Sequence, residues 1–325
     1  MKKRAAVLAG FALILVLSLF LGRYPKPGFA APGTFLTDNT FQTIILSLRL
    51  PRIIMALLLG AALGAGGLVM QTVMVNPLVE PGFLGVTQGA AFGAALSIVL
   101  WGSGLLATQA AAMFFALLGL FASYWIAKRI KFGSWIIRLV LAGIILSALY
   151  SAGIGILKAI ADPLNQLQEI TFWMMGGLWG VSWLDTAWVS VVVVPAVTIL
   201  MLFRWRINLL VLDDRMAFSL GTKPERFKVL LLLLSVLAVA AVTAVCGIVG
   251  WMGLIAPHLS RKLFGADVRR SLPGSILIGA AGTLLCDDFG RTLLENEIPI
   301  GIVTSVMGAV VFLFIMTRQA RIRNA

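Results

Sequence analysis

Apolar residues dominate this chain in long runs, and short polar segments rich in lysine and arginine separate those runs. A run of about 18 apolar residues matches the roughly 30 Å hydrocarbon core of a bilayer, because an α-helix rises about 1.5 Å per residue. The pattern predicts an all-α, polytopic membrane protein with about ten transmembrane helices, in one membrane domain over residues 1–325. The predicted spans lie near residues 5–22, 53–74, 83–101, 105–127, 139–157, 186–203, 229–249, 251–264, 272–291 and 299–317.

The composition supports this interpretation, because 60% of the 325 residues are hydrophobic and only 12% are charged. A soluble fold cannot bury that share of apolar side chains. The formal charge of +13 is spread over short clusters between the apolar runs, which argues against a nucleic-acid partner. Cys246, Cys286 and His258 are isolated from one another in apolar surroundings, so neither a disulfide nor a metal site is predicted.

The basic residues predict an orientation as well. Cytoplasmic loops carry an excess of lysine and arginine, and an even number of spans returns the chain to its starting side. With the N-terminus inside, 20 of the 26 basic residues lie in the cytoplasm, so both termini are predicted to be cytoplasmic in a bacterial or archaeal inner membrane. The basic residues left outside are Arg23, Lys26, Arg49, Arg52, Lys158 and Arg291.

The first apolar run has an alternative interpretation, because residues 1–21 are basic and then apolar, as in a secretory signal. A signal core has about 7–15 apolar residues, whereas this run has about 17. The length favours a retained first span.

Motifs for independent chemistry are missing from the sequence. No stretch matches the glycine-rich phosphate-binding loop, and a single histidine excludes most hydrolase constellations, so the chain is not predicted to be an enzyme. The predicted spans carry almost no ionisable residues, and the cluster of Asp287, Asp288 and Arg291 lies near the outer end of its helix. A carrier coupled to protons or sodium would place such groups near the midplane. The energy is therefore expected to come from a separate motor that docks on the basic loops.

Small residues recur at helical spacing within several spans. The pairs are Gly60 with Gly64, Gly89 with Gly93, and Gly279 with Ala280 and Gly282. Such small faces let helix backbones approach closely in a membrane. Close helix packing is therefore predicted at these positions, with bending at a gate as the alternative.

Four long segments carry a resemblance to a known family. They are RLPRIIMALLLGAALGAGGLVMQTVMVNPLVEPGFLGVTQGAAFGA (49–94), WMMGGLWGVSW (173–183), NLLVLDDRMAFSLG (208–221) and the region 250–309. In this order they resemble the permease subunit family of iron–siderophore, haem and cobalamin ABC importers. The sequence departs from the family's usual pattern at Val268, where histidine is common, and at Val310, where proline is common. Val268 removes a polar side chain and Val310 removes a helix kink.

The resemblance implies a complex whose other parts lie outside this chain. Its expected partners are a second copy of itself, two cytoplasmic ABC ATPase subunits, a substrate-binding protein on the outer side and the lipid bilayer. No cofactor is expected on the chain itself, since ATP and Mg²⁺ belong to the ATPase.

The family also implies which residues contact the ATPase. The segment 209–223 is expected to form two short coupling helices, with Pro257 and His258 in support where the eighth span reaches the cytoplasm. The expected coupling residues are Leu209, Leu210, Leu212, Asp213, Asp214, Ala217, Leu220, Gly221, Pro257 and His258.

Two further sites follow from the resemblance. The turn of Asn76, Pro77 and Leu78 is expected to form a cytoplasmic gate, since proline prevents a continuous helix there. Arg49, Arg52 and Arg291 are expected to form basic pockets for acidic residues of the binding protein. The alternatives are an ion pair of Arg291 with Asp287, and snorkelling of Arg49 and Arg52 to lipid headgroups.

The sequence leaves the cargo open. Ferric siderophore is ranked first as the commonest cargo of the family, followed by haem and cobalamin, with a bare oxyanion last. Two other functional classes also stay open. One is a secondary carrier or channel without an ATPase, and the other is a membrane assembly or sensor protein.

Overall fold

The computed structural model of the protein describes residues 2–24, 26–102, 104–212 and 214–323, and helices make up most of it. In chain order the helices are α1 (Lys2–Phe20), α2 (Thr34–Thr37), α3 (Asn39–Ile44), α4 (Leu50–Val73), α5 (Val86–Trp101), α6 (Leu105–Arg129), α7 (Trp135–Ile160), α8 (Gln166–Met175), α9 (Trp183–Leu202), α10 (Arg204–Leu209), α11 (Asp214–Ser219), α12 (Pro224–Cys246), α13 (Met252–Phe264), α14 (Val268–Thr292) and α15 (Ile300–Arg323). A π-helical turn, Ile45–Arg49, joins α3 to α4, and a 3-10 turn, Pro81–Leu84, precedes α5. The strands Leu21–Gly22 and Gly28–Phe29 pair in an antiparallel ribbon after α1.

Each predicted span coincides with a helix, which confirms the all-α membrane architecture. Among the described residues, six helical segments are long and apolar enough to cross a bilayer by themselves, and three apolar helices are shorter. The helix α13 has 13 residues, a length of about 20 Å, so the eighth predicted span is too short to cross the hydrocarbon core alone. The helices α2, α3 and α8 were not predicted, because they are short and partly polar.

The centre of the bundle is α4, which packs against α9, α12, α13 and α14. Glycine allows this contact, because an added Cβ on Gly60 would overlap the backbone of Gly279, and one on Gly64 would overlap the Ser275 carbonyl. The Ser275 hydroxyl also donates to the Gly64 carbonyl at 2.7 Å. The predicted close packing of small faces is therefore confirmed for this pair of helices.

A second glycine contact joins α5 to α6. An added Cβ on Gly89 would overlap the Phe115 carbonyl, and one on Gly93 would overlap the Ala111 carbonyl. The helices α5, α6 and α7 pack on one another beside the central group. The apolar core is continuous from this trio of helices into α4 and α12.

Candidate functional site

Arg49, Arg52 and Arg291 lie together where α4 begins and α14 ends, and we call this end of the bundle the arginine end. All three line one cavity of about 460 Å³. The structure therefore groups the residues that were predicted to dock a binding protein.

The guanidinium of Arg52 is held by two carboxylates. Its Nε and Nη2 atoms donate to Oδ1 of Asp287 at 3.0 and 2.9 Å, and its Nη1 donates to Glu297 at 3.0 Å. The side chain of Asp287 is 2% exposed and that of Arg52 is 15% exposed. The two hydrogen bonds from Arg52 to Asp287 join α4 to α14 across a largely buried interface.

Arg291 and Arg49 point into the protein. Arg291 pairs with Asp288 and donates to the carbonyl of Ser18 at 2.6 Å. Arg49 donates to the carbonyl of Leu19 at 2.8 Å. Both arginines are 6% exposed. Together they fasten the end of α1 to α4 and α14.

These contacts correct two expectations. The ion pair of Arg291 with Asp287 is wrong, because Asp287 pairs with Arg52 and Arg291 pairs with Asp288. Snorkelling of Arg49 and Arg52 to headgroups is wrong, since both guanidinium groups are bonded inside the chain. Docking of a binding protein at these arginines stays a prediction.

Arg23 is a member of this cluster that the sequence reasoning did not select. It lines the same cavity and donates to the carbonyl of Glu295 at 2.8 Å. The Nε atoms of Arg23 and Arg291 are buried without a partner among the described residues. The sequence feature that could have identified Arg23 was its position among the basic residues that the predicted topology leaves outside.

The predicted gate residues form a tight turn after α4. The Oδ1 atom of Asn76 accepts from the amide of Leu78 at 3.0 Å. Val75 takes a left-handed backbone with φ 48°, which reverses the chain. Asn76, Pro77 and Leu78 are all exposed, so the turn is free to meet another surface.

The chain then turns back into the bundle. The ring of Pro81 lies between two glycines. An added Cβ on Gly66 of α4 would stand 3.3 Å from this ring, and one on Gly253 of α13 would stand 3.1 Å from it. Gly66 lies seven residues before the end of α4 at Val73, or about 10 Å along the helix. Pro81 and Leu84 are buried, so this segment packs into the bundle, while the side chain of Phe83 is exposed.

A second irregular segment meets this turn. Between α12 and α13, Gly247 and Trp251 have positive φ angles of 67° and 69°. The amide of Gly177, after α8, donates to the carbonyl of Cys246 at 2.8 Å. An added Cβ on Gly301 of α15 would overlap the carbonyls of Met175 and Ile248. Non-helical backbone at membrane depth is tolerated where it is buried or lines a cavity.

Two cavities border these irregular segments. One of about 580 Å³ lies against α8, α13 and α15, and its walls include Met174, Trp251 and Ile302. The other, of about 500 Å³, lies against α5, α7 and α12. Glu80 and Phe83 line both cavities. Glu80 lies between two predicted spans, so the expectation about ionisable residues within the spans did not consider it.

The opposite end of the bundle carries α10 and α11, and we call the segment 203–223 with the start of α14 the coupling end. Ile207, Leu210 and Ala217 are buried and anchor the segment. The Thr222 hydroxyl donates to the Ala217 carbonyl at 2.5 Å and closes α11. The large apolar side chains that remain exposed among the described residues of this segment are Trp205, Val211, Leu212, Met216, Phe218 and Leu220.

The predicted coupling residues therefore divide into two sets. Leu212, Leu220 and Gly221 are exposed, whereas Leu210 and Ala217 are buried and Leu209 is half-buried. Asp214 begins α11, and Asp213 lies outside the described residues. Exposed apolar side chains grouped on a short segment are typical of a surface that another protein covers.

Asn208 joins the coupling end to α14. Its Nδ2 atom donates to Asp267 at 2.7 Å, and its Oδ1 atom accepts from the Val268 amide at 2.8 Å. Arg269 pairs with Asp267 and stacks over the Trp205 ring at 4.8 Å. The hydrogen bonds from Arg269 and Asn208 hold the pKa of Asp267 well below its usual range.

Pro257 and His258 occupy the middle of α13, and His258 is six residues, or about 9 Å, before its end at Phe264. Pro257 is buried and His258 is half-buried. Their supporting role beside the ATPase stays a prediction. Within the part of the chain that the structure describes, no three His, Cys, Asp or Glu side chains form a metal-binding group.

Comparisons with known proteins agree with this geometry. A model of the FecCD transport family matches residues 10–318. The chain is 38% identical over 317 residues to the molybdate import system permease protein MolB of Haemophilus influenzae, covering 94% of each chain. It is 36% identical over 329 residues to the hemin transport system permease protein HmuU of Yersinia pestis, covering 98% of this chain and 97% of that one.

A solved structure is similar over nearly the whole chain. It is described as an inward-facing metal-chelate type ABC transporter, and it superposes with a TM-score of 0.88 at 37% identity. The match covers 97% of this chain and 99% of that chain. Fold and sequence therefore agree along the same length of chain.

Proposed function

This chain belongs to the FecCD transport family and is a permease subunit of metal-chelate type ABC importers, and from that premise we propose that it carries a bulky metal chelate into the cytoplasm through the cavity lined by Glu80 and Trp251. The observation that carries the proposal is that three irregular backbone segments meet the start of the helix α15 around that cavity. A volume of about 580 Å³ in one subunit suits a large cargo better than a bare ion.

The lining of the cavity supports a large amphipathic cargo. Met174, Met175 and Trp251 give it soft, polarisable walls, and Ser305 supplies a hydroxyl. Methionine adapts its shape to irregular ligands. A ferric siderophore is the first cargo candidate, with haem and cobalamin next. A bare oxyanion is ranked below them, although one relative is named for molybdate import.

The partners follow from the role of a permease. A second copy of this chain, two ABC ATPase subunits and an outer substrate-binding protein complete the importer. ATP and Mg²⁺ bind to the ATPase, and this chain contributes no catalytic residue. The exposed apolar residues of the coupling end support an ATPase contact there, and the cavity shared by Arg49, Arg52 and Arg291 supports a binding-protein contact.

The proposal places the coupling end and both termini in the cytoplasm, following the positive-inside rule. Cargo enters at the arginine end and leaves past the turn of Asn76, Pro77 and Leu78. These three residues act as the inner gate when two copies face each other. Introduced cysteines at Asn76 of both copies should crosslink and block transport.

Reconstitution tests the function directly. The permease, its ATPase and its binding protein are assembled in liposomes, and uptake of the ligand that copurifies with the binding protein is measured. We expect uptake only with ATP and all three proteins. Uptake by the permease alone would support a carrier or channel, and molybdate as the only bound ligand would contradict the bulky-chelate proposal.

A further inference from the structure

Glu80 is an ionisable residue at membrane depth. Its neighbour Pro81 lies level with Gly66, about 10 Å inside the end of α4, and the Glu80 Cβ borders Gly253. A carboxylate in such a place is costly, and intramembrane carboxylates usually mark a path for substrate or ions.

The carboxylate of Glu80 stands without a cationic partner among the residues that the structure describes, because no lysine or arginine of that part lies within ion-pair distance of it. In contrast, the membrane-embedded Asp287 and Asp288 are each paired with an arginine. The charge of Glu80 is therefore not neutralised by any described residue.

Glu80 is also the one ionisable residue in the walls of either cavity, as far as the described residues show. The other polar lining groups are neutral, namely Thr87, Gln88, Ser147, Thr243 and Ser305. An apolar wall strengthens the field of a single charge, because it screens less than water does.

We propose that Glu80 sets the charge preference of the path, favouring neutral or cationic cargo surfaces and disfavouring anions. A charged ring in a channel selects ions in the same way, and a second copy of the chain would add a second carboxylate. This inference rests on the proposed function for the meaning of the path, but the electrostatic effect is measurable without any cargo.

The test uses paired thiol reagents of opposite charge on the full-length chain. Cys246 and Cys286 are replaced by alanine, and Ser305→Cys places one thiol in the larger cavity. The rates of modification by a cationic and an anionic methanethiosulfonate are then compared with and without Glu80→Gln. We expect the cation-to-anion rate ratio to fall by about threefold or more in Glu80→Gln.

Two controls make the result specific. Glu169→Gln removes a half-buried carboxylate that lines neither cavity, and it should leave the ratio unchanged. A thiol at exposed Thr37 should show the same ratio with or without Glu80. An unchanged ratio at Ser305→Cys overturns the proposal. If neither reagent reacts with Ser305→Cys or with Thr243→Cys, the proposal is also overturned, because water would then not reach the cavities.

The readout separates this inference from the proposed function. A permease that fails to move any chelate yet shows the Glu80-dependent ratio would contradict the cargo proposal alone. A permease that transports normally with no Glu80-dependent ratio would contradict only the role of Glu80.

A different observation carries a second inference. A groove of about 710 Å³ runs between α1, α4 and α14. Its walls are apolar along Leu57, Leu58 and Leu277, and three arginines lie at its coupling end, namely Arg204, Arg269 and Arg270. Arg204 and Arg270 are exposed and form no ion pair with a described residue.

The length of the groove matches one leaflet. Its lining on α14 extends from Arg270 to Ala280, which is ten residues or about 15 Å. This is half of the roughly 30 Å hydrocarbon core. The polar end and the apolar wall are thus spaced like the headgroup and acyl chain of one lipid.

We infer that the groove binds an anionic phospholipid of the leaflet at the coupling end, with its phosphate on Arg204 and Arg270. Basic pockets between transmembrane helices favour anionic headgroups over zwitterionic ones. The apolar wall alone would accept any acyl chain, so the arginines supply the selectivity.

Native mass spectrometry of the purified chain tests this inference with phosphatidylglycerol and phosphatidylcholine of matched chains. We expect each chain to retain one phosphatidylglycerol molecule. The double variant Arg204→Gln, Arg270→Gln should lose this lipid, and so should Ala61→Trp, because the indole blocks the groove. Arg129→Gln, an exposed arginine away from the groove, should retain it. Equal retention of both lipids, or displacement by inorganic phosphate alone, overturns the inference.

Discussion

The arginine end and the coupling end of this permease differ in whether their side chains find partners within the chain. At the arginine end, Arg49, Arg52 and Arg291 are bonded within the chain and two of them are 6% exposed. At the coupling end, Phe218 and Leu220 stand in solvent at 65% and 59% exposure. The first end is completed by its own chain, and the second needs a partner to cover it. Both ends interrupt the apolar pattern of the sequence, but the sequence does not show which of them the chain closes by itself.

The largest expected effect comes from opening the arginine end. Asp287→Ala leaves the guanidinium of Arg52 without its buried partner, and removing one member of such a pair costs about 3–5 kcal/mol of unfolding free energy. Denaturant unfolding in detergent measures the loss. Glu295→Ala removes an exposed carboxylate next to the same site and should change the value by less than about 0.5 kcal/mol. Equal effects of the two substitutions would refute the claim that this end is closed by its own ion pairs.

The coupling end should respond in binding and not in stability. Phe218→Ala should weaken ATPase binding by about 2 kcal/mol, or roughly 30-fold, because exposed aromatic residues often anchor interfaces. Titration of the ATPase into permease nanodiscs measures the affinity. Phe132→Ala is the matched control, since Phe132 is also 65% exposed but lies in the connection between α6 and α7. A similar loss in both variants would show that exposure alone does not define the contact.

A smaller effect is expected where the coupling end joins the bundle. Asn208→Ala removes the hydrogen bonds to Asp267 and Val268 and should cost about 1 kcal/mol of stability. We also expect more ATP to be hydrolysed per cargo molecule, because α10 would move without α14. Asn165→Ala, which removes an exposed bond to Asp162, is the control. Unchanged ATP use per transported molecule would contradict the mechanical role of Asn208.

The smallest effect concerns pH. The folded-state pKa of Asp267 lies below its unfolded value near 3.9, so its contribution is fully present above that value and is lost as the pH falls through the folded pKa. The stability difference between the wild type and Asp267→Asn should therefore stay constant between about pH 8 and pH 5. Thermal unfolding across that range checks it. A difference that shrinks near neutral pH would mean that another group dominates the contact.

The ten helices could be predicted because each depends on a local apolar run that a bilayer requires. The partner of Arg52 could not, because Asp287 is 235 residues away in the chain. The spacing of one helical turn suggested Asp287 as the partner of Arg291. This was wrong, because Asp287 pairs with Arg52 and Arg291 pairs with Asp288. Ion pairs in this bundle are therefore decided by helix packing.

Glu80 illustrates a different limit. Its turn contains Pro77 and Pro81, so the sequence correctly predicts a break in the helix. The break does not reveal on which side of the membrane boundary the turn lies. Only the contacts of Pro81 with Gly66 and Gly253 place the carboxylate inside the bundle.

The glycine contacts of α4 have a mechanical consequence. Where Gly60 meets Gly279 and Gly67 meets Gly253, backbone touches backbone with no side chain between them. A helix held in this way cannot slide or rotate without lifting off its neighbours, so we expect α4, α13 and α14 to move as one rigid group. A displacement that reaches α14 through Asn208 should then move all three helices together. The non-helical segment 247–251 joins this group to α12, and we expect the backbone to bend there.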